Sequence, residues 1–95
     1  MTIDQAFLLI RDERMRQEAK WGPQSHDTGT WLQILSEEVG EYSEACLHDK
    51  FGGPKKGHAR AELIQLAAVA VQMLEKLEMP IPVEKIEYTQ GRDYP

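Results

Sequence analysis

The chain has 95 residues, of which 41% are hydrophobic and 28% are charged. This length suffices for one small domain and is too short for two, and the composition is typical of a globular protein rather than of collagen, a disordered segment or a disulfide scaffold. The net charge of -5 has the wrong sign for a protein that neutralises the phosphates of DNA or of an anionic membrane.

Three segments have helical composition and are separated by runs rich in glycine and proline. We predict helices over residues 4–20, 31–48 and 58–78. The run 21–30 is predicted as a loop in which Thr28 or Thr30 caps the second helix. Residues 49–57, DKFGGPKKG, are predicted as a second loop, and residues 81–95 as an extended or partly ordered arm.

The predicted fold class is all-α, because no segment alternates with period two for long enough to form a sheet. The third helix has apolar residues on nearly every side, and such a helix must be buried all round. These residues are Leu63, Ile64, Leu66, Val69, Val71, Met73, Leu74 and Leu77. Two other short helices cannot cover them, so we predict a single three-helix domain whose bundle is completed by homo-oligomerisation.

The cellular location is predicted from what the sequence lacks. Cys46 is the only cysteine, and the first residues have neither the basic nor the long apolar stretch of a signal peptide. The longest weakly polar run, 63–74, is shorter than the roughly 20 residues needed to cross a bilayer. We expect a cytoplasmic protein that has neither a membrane nor a nucleic acid polymer as partner.

The informative feature is the position of three carboxylates. On a helical projection Glu38 lies in the middle of the apolar stripe of the second helix, with Glu41 at its border about 60° away. Glu62 lies among apolar residues of the third helix, with Gln65 about 60° to one side. A carboxylate on a core-facing stripe needs a partner, since burying an unpaired charge is expensive.

Two kinds of partner can meet this need. A divalent cation is the preferred one, since Mg²⁺ favours carboxylate oxygens and a site between facing helices. Salt bridges to Arg14 and Arg60 are the alternative. Zinc is disfavoured, because the three histidines lack ligand spacing and there is no cysteine pair.

A family resemblance follows from these residues. Glu37-Glu38-Val39-Gly40-Glu41, followed after twenty residues by Glu62-Leu63-Ile64-Gln65, resembles the EExxE…ExxD pattern of the MazG-like all-α nucleoside triphosphate pyrophosphohydrolases. The stretches Glu13-Arg14 to Gln17, Lys20-Trp21-Gly22 with Gln24, and Leu35 to Glu41 resemble a short branch of this family seen in phages and bacteria. Together they cover about residues 11 to 78.

The resemblance implies helical subunits that form dimers or tetramers and hydrolyse a nucleoside triphosphate to the monophosphate and pyrophosphate with Mg²⁺, or with Mn²⁺ in its place. Removal of unwanted nucleotides is a role that such an activity would serve. It further implies that Glu38, Glu41 and Glu62 ligate the metal and that Glu37 lies near the attacking water, with Glu37 or Glu41 as its base. Gln65 stands where the pattern has Asp, and an amide offers one carbonyl oxygen but no charge.

Contacts to the substrate are predicted in two groups. Lys55, Lys56 and Arg60, in or just after the second loop, are candidates for the pyrophosphate, and Arg14 is predicted to turn inward toward phosphate or an acidic residue.

The nucleobase would be held by helix 1 and the loop after it. Trp21 is predicted to stack on the base, while Gln17 and Gln24 hydrogen-bond its edges. Lys20, beside Trp21, is predicted to be a further substrate contact. Trp31, in contrast, is predicted to be a core residue. Two other functions remain open: a degenerate relative that binds a nucleotide or a protein without cleavage, and a purely structural oligomerisation unit.

Overall fold

The computed structural model describes residues 1–77, which form three α-helices. They are α1, Ile3–Trp21; α2, Thr28–Phe51; and α3, Ala59–Lys76. Residues 1–77 contain no strand, so the all-α prediction is confirmed for this part of the chain. None of these helices has the length and apolar content that crossing a membrane requires. The predicted arm, 81–95, lies outside the described residues.

Local hydrogen bonds explain where the first two helices begin. Thr2 and Gln5 form a reciprocal capping box, in which each side chain accepts a hydrogen bond from the other residue's backbone N–H. Asp27 caps α2, its Oδ1 accepting from the backbone N–H of Thr30 at 2.7 Å. The prediction that Thr28 or Thr30 is the cap is therefore wrong, and α2 begins earlier than expected because Asp27 provides the acceptor.

The central element of the fold is α3, which packs against both α1 and α2. Where it does so, small or branched side chains allow close approach of the helices: Ala68 is fully buried and Val69 is buried beside it. Ala45 of α2 is also fully buried, and Trp31 is 5% exposed. Trp31 is thus a core residue, as predicted.

Much apolar surface remains uncovered in a single chain. On α3 the exposed side chains include Leu63 and Leu74, the latter 67% exposed. On α1 they include Ile3, Phe7 and Leu8. The two neighbouring helices therefore leave part of the apolar surface of α3 open to solvent, in agreement with the prediction that they cannot cover it. The predicted homo-oligomer stays a prediction.

Candidate metal centre and adjoining cleft

Three glutamates from two helices converge on one point. Glu38 and Glu41 lie one turn apart on α2, and Glu62 lies in the first turn of α3. One carboxylate oxygen from each lies within 4.8 Å of the other two. All three side chains are partly buried, and one oxygen each of Glu38 and Glu62 is buried without a hydrogen-bond partner. The cluster therefore has acceptors that no donor of the described chain satisfies.

The electrostatics show the same deficit of positive charge. Burial raises the pKa of Glu38, and the neighbouring charges of Glu41 and Glu62 raise it further. Burial also raises the pKa of Glu41, reinforced by Glu62, whereas the ammonium group of Lys55 acts in the opposite direction. Both shifts mean that the protein without a metal ion holds these carboxylates in an environment that disfavours their charge.

The two arginines proposed as alternative partners do not pair with this cluster. The Arg14 guanidinium is buried against Glu75 and against Glu18, with 2.8 Å from Nη2 to the Glu18 carboxylate. Arg60 is exposed, and its Nη2 lies 3.9 Å from Sδ of Met1. Arg14 therefore turns inward and meets acidic groups as predicted, but they are not the three glutamates, so the salt-bridge explanation of the cluster is not realised in residues 1–77.

A cleft of about 410 Å³ adjoins the cluster and contains residues from all three helices and from the loop between α1 and α2. Its lining consists of Gln17, Lys20, Trp21, Gln24, His26, Trp31, Ile34, Glu38, Gln65, Val69 and Gln72. The three residues predicted to contact a nucleobase, Trp21, Gln17 and Gln24, thus line the same cleft as Lys20, another predicted substrate contact. Glu38, a predicted metal ligand, and Gln65 line it too. Trp21 is 63% exposed, and the Lys20 ammonium lies over its ring at 4.8 Å from the centroid.

Two side chains of the cleft have a buried polar atom without a hydrogen-bond partner. Gln17 donates from Nε2 to the backbone oxygen of Gln65 at 3.3 Å, while its own Oε1 is buried without a partner. The Nε1 of Trp31 is likewise buried without an acceptor, although its ring packs edge-on against His26. Because unpaired buried polar atoms are uncommon, these groups favour a polar ligand or ordered water nearby.

The predicted phosphate contacts are dispersed. Lys55 lies near the cluster, its Nζ 3.6 Å from Glu44 and its charge acting on Glu41. Lys56 is exposed in the same loop. Arg60 lines a separate, apolar pocket, and Arg14 is engaged in its ion pairs. Of the predicted cations, Lys55 lies nearest in its electrostatic effect to the three-glutamate cluster, since its charge acts on Glu41.

Glu37, predicted to lie near the attacking water, is exposed on α2 beside Glu38, whose pKa its charge helps to raise. A residue that the sequence analysis missed also acts on Glu38: Glu13 of α1 contributes to the same pKa shift and is held by two hydrogen bonds from Arg16. Its spacing of four residues from Gln17 was the available signal, because it places both on one face of α1.

Comparison of the chain with protein-family models, with curated proteins and with solved structures gives no match. The function of the protein is therefore inferred from the residues of the site and from the motif resemblance.

Proposed function

We propose that the chain is a Mg²⁺-dependent nucleoside triphosphate pyrophosphohydrolase, which converts a ribo- or deoxynucleoside triphosphate to the monophosphate and pyrophosphate. The observation that carries the proposal is the convergence of Glu38, Glu41 and Glu62 with buried, unpartnered oxygens. The cleft beside them supports it, because a stacking side chain and two amides stand where a nucleobase could be bound.

The donor set fits a hard divalent cation. Three carboxylates offer oxygen ligands, as Mg²⁺ and Mn²⁺ prefer, and Gln65 could add an amide oxygen. When bound, such an ion polarises phosphate oxygens and lowers the pKa of a coordinated water. Without it, the charges of three partly buried carboxylates repel one another, which is the deficit that the raised pKa values of Glu38 and Glu41 express.

The remaining steps belong to side chains. Glu37 or Glu41 orients the attacking water and accepts its proton, and Lys55 offsets negative charge that develops on the leaving pyrophosphate. Trp21 stacks on the base, while Gln17 and Gln24 hydrogen-bond its edge groups and so orient the α-phosphorus toward the metal centre.

The test is incubation of the purified chain with a panel of nucleoside triphosphates and Mg²⁺ in H₂¹⁸O. We expect monophosphate and pyrophosphate as products, with the label in the monophosphate, because water attacks the α-phosphorus. Glu38→Gln should abolish turnover, whereas Asp12→Asn, which removes a charge from an exposed position of α1, should leave it unchanged. Release of single phosphate, or turnover that survives Glu38→Gln, would refute the mechanism.

A second candidate function is nucleotide or protein binding without cleavage, and the observation that favours it is Gln65. A neutral amide in place of a carboxylate lowers the charge of the ligand set and cannot act as a base. Calorimetric binding of a triphosphate with Mg²⁺, with no product over hours, would select this candidate. A purely structural unit would show neither binding nor any change of thermal stability with Mg²⁺ and nucleotide.

We also propose that the chain works in the cytoplasm as a homo-oligomer, dimeric or tetrameric. The exposed apolar side chains of α1 and α3 support this proposal, since monomers rarely expose large contiguous apolar patches. Sedimentation equilibrium over a range of concentrations tests it, and a stably folded monomer at micromolar concentration would refute it.

A further inference from the structure

The loop between α2 and α3 is held by side chains of α2. Nδ1 of His48 accepts a hydrogen bond from the backbone N–H of Lys55 at 3.0 Å. Oδ1 of Asp49 accepts from the backbone N–H of Gly57 at 2.7 Å. This loop joins the helix that carries Glu38 and Glu41 to the helix that carries Glu62, so its conformation bears directly on the proposed metal centre.

A close contact fixes the His48 ring in this position. Gly53 has a φ of 153° and lies directly against the ring, so that a Cβ at residue 53 would stand 2.5 Å from Cγ of His48. Only glycine fits there. The side chain of His48 is 22% exposed and faces Glu44 on its other edge, with 3.9 Å between Nε2 and the carboxylate.

The hydrogen bond also defines the protonation of the ring. An imidazole nitrogen that accepts an N–H bond carries no proton, so the proton of a neutral His48 resides on Nε2, the atom that faces Glu44. In this arrangement the Lys55 ammonium lies 3.6 Å from the Glu44 carboxylate, and its charge opposes the rise in the pKa of Glu41.

We propose that His48 is a positioning residue for Lys55: by accepting the Lys55 N–H through Nδ1, it holds the Lys55 ammonium at the edge of the three-glutamate cluster, where it contacts the phosphates of the triphosphate. This inference rests on the proposed function, and it adds to it a residue that touches neither substrate nor metal. His48 acts through the backbone of the loop, and the Lys55 ammonium is the group that contacts the substrate.

Three variants separate this role from a general contribution to folding. Lys55→Met removes the ammonium group. His48→Phe keeps a ring against Gly53 and removes the acceptor, whereas His48→Asn loses the ring but keeps an oxygen acceptor near the position of Nδ1. His48→Asn is therefore the matched control for His48→Phe.

The first readout is kinetic. A charged hydrogen bond to phosphate predicts that Lys55→Met raises KM for the triphosphate about 10-fold or more. We expect His48→Phe to raise KM about 3- to 10-fold while kcat changes less than about twofold, because only part of the Lys55 contact is lost. His48→Asn should restore a KM near that of the wild type, and His48→Phe should have no further effect in a Lys55→Met background.

The second readout needs no turnover. Because the Lys55 ammonium repels a cation at the cluster, Lys55→Met should tighten Mn²⁺ binding by about threefold without nucleotide. His48→Phe should tighten it by a smaller factor, and His48→Asn should leave it unchanged. In the wild type, ¹⁵N spectra of the imidazole at pH 8 should show the proton on Nε2. This spectrum also tests the arrangement if His48→Phe does not fold, and a proton on Nδ1 would overturn it.

The two proposals fail in different ways. Equal KM values for His48→Phe and His48→Asn, or a full additive effect of His48→Phe on Lys55→Met, in an enzyme that turns over, would overturn the role of His48 alone. A wild-type chain that neither hydrolyses triphosphates nor binds Mn²⁺ would overturn the proposed function and with it this inference.

Discussion

The substitution Glu38→Gln should stabilise the protein when no divalent cation is present. Two unit charges 4.8 Å apart repel by about 1 kcal/mol at the dielectric constant of water and by about 3.5 kcal/mol at an effective value of 20. Glu38 has two such neighbours, Glu41 and Glu62. These side chains are only partly buried and can take up protons, so the repulsion should lie near the value for water. We therefore expect Glu38→Gln to raise the free energy of unfolding by about 1–2 kcal/mol at pH 8.

The gain is measured by urea unfolding in EDTA, at one protein concentration so that assembly does not alter the comparison. For a domain of this size it corresponds to a rise of roughly 4–16 °C in Tm. Asp12→Asn is the control, because it removes a charge from an exposed site of α1.

Addition of Mg²⁺ should reverse the order of the two proteins. A ligand at 100 times its Kd stabilises the folded state by about 2.7 kcal/mol, and we expect the wild type and Asp12→Asn to gain this while Glu38→Gln gains little. A Glu38→Gln variant that is less stable than the wild type in EDTA, or that gains as much from Mg²⁺, would refute the assignment of a repulsive, metal-binding cluster.

Four further predictions follow from the same geometry. The pKa values of Glu38 and Glu41 are raised from 4.5 in the folded chain, so the folded state binds more protons than the unfolded one. Their contribution to stability is greatest below pH 4.5 and falls as the pH rises through their raised pKa values. Unfolding curves in EDTA at a series of pH values should show this fall in the free energy of unfolding, and the fall should be smaller in Glu38→Gln. Gln65→Asp should tighten Mn²⁺ binding about 10-fold by calorimetry, and unchanged affinity would place residue 65 outside the ligand set. Trp21→Ala should raise KM about 10-fold with little change in kcat, as loss of base stacking requires. Gly53→Ala should lower the free energy of unfolding by about 1–3 kcal/mol, because both its φ and the His48 ring oppose a Cβ.

The helices were predictable because local signals define them. Glycine and proline separate the segments, and periodic apolar residues mark the buried faces. The beginning of α2 was not predicted, because Thr28 and Thr30 are also residue types that cap helices and only the geometry selects Asp27. The exposure of Leu63 and Leu74 agrees with the prediction that two helices cannot cover the third. Which of its apolar residues stay exposed could not be predicted, since that depends on how the helices pack.

The candidate site was predictable to the extent that it follows from helical spacing. Glu38, Glu41 and Glu62 could be inferred from the projection of two helices. The pairing of Arg14 with Glu75 could not, because Glu75 lies 61 residues away along the chain. Nor could the hydrogen bond of His48 with Lys55, which depends on the path of a glycine-rich loop.

The charge of the proposed site is compatible with Gln65 in the proposed hydrolysis. A divalent cation would neutralise two of the three carboxylate charges. Lys55 lies where its ammonium can offset the third. A carboxylate at residue 65 would bind the metal more tightly, but it would leave an excess negative charge facing a highly anionic triphosphate. The amide of Gln65 carries no charge, so it lowers the affinity for the metal and also reduces the repulsion of the substrate. A site of this kind depends more on the substrate's own phosphates to complete the coordination of the ion, so that metal and triphosphate should bind cooperatively rather than independently.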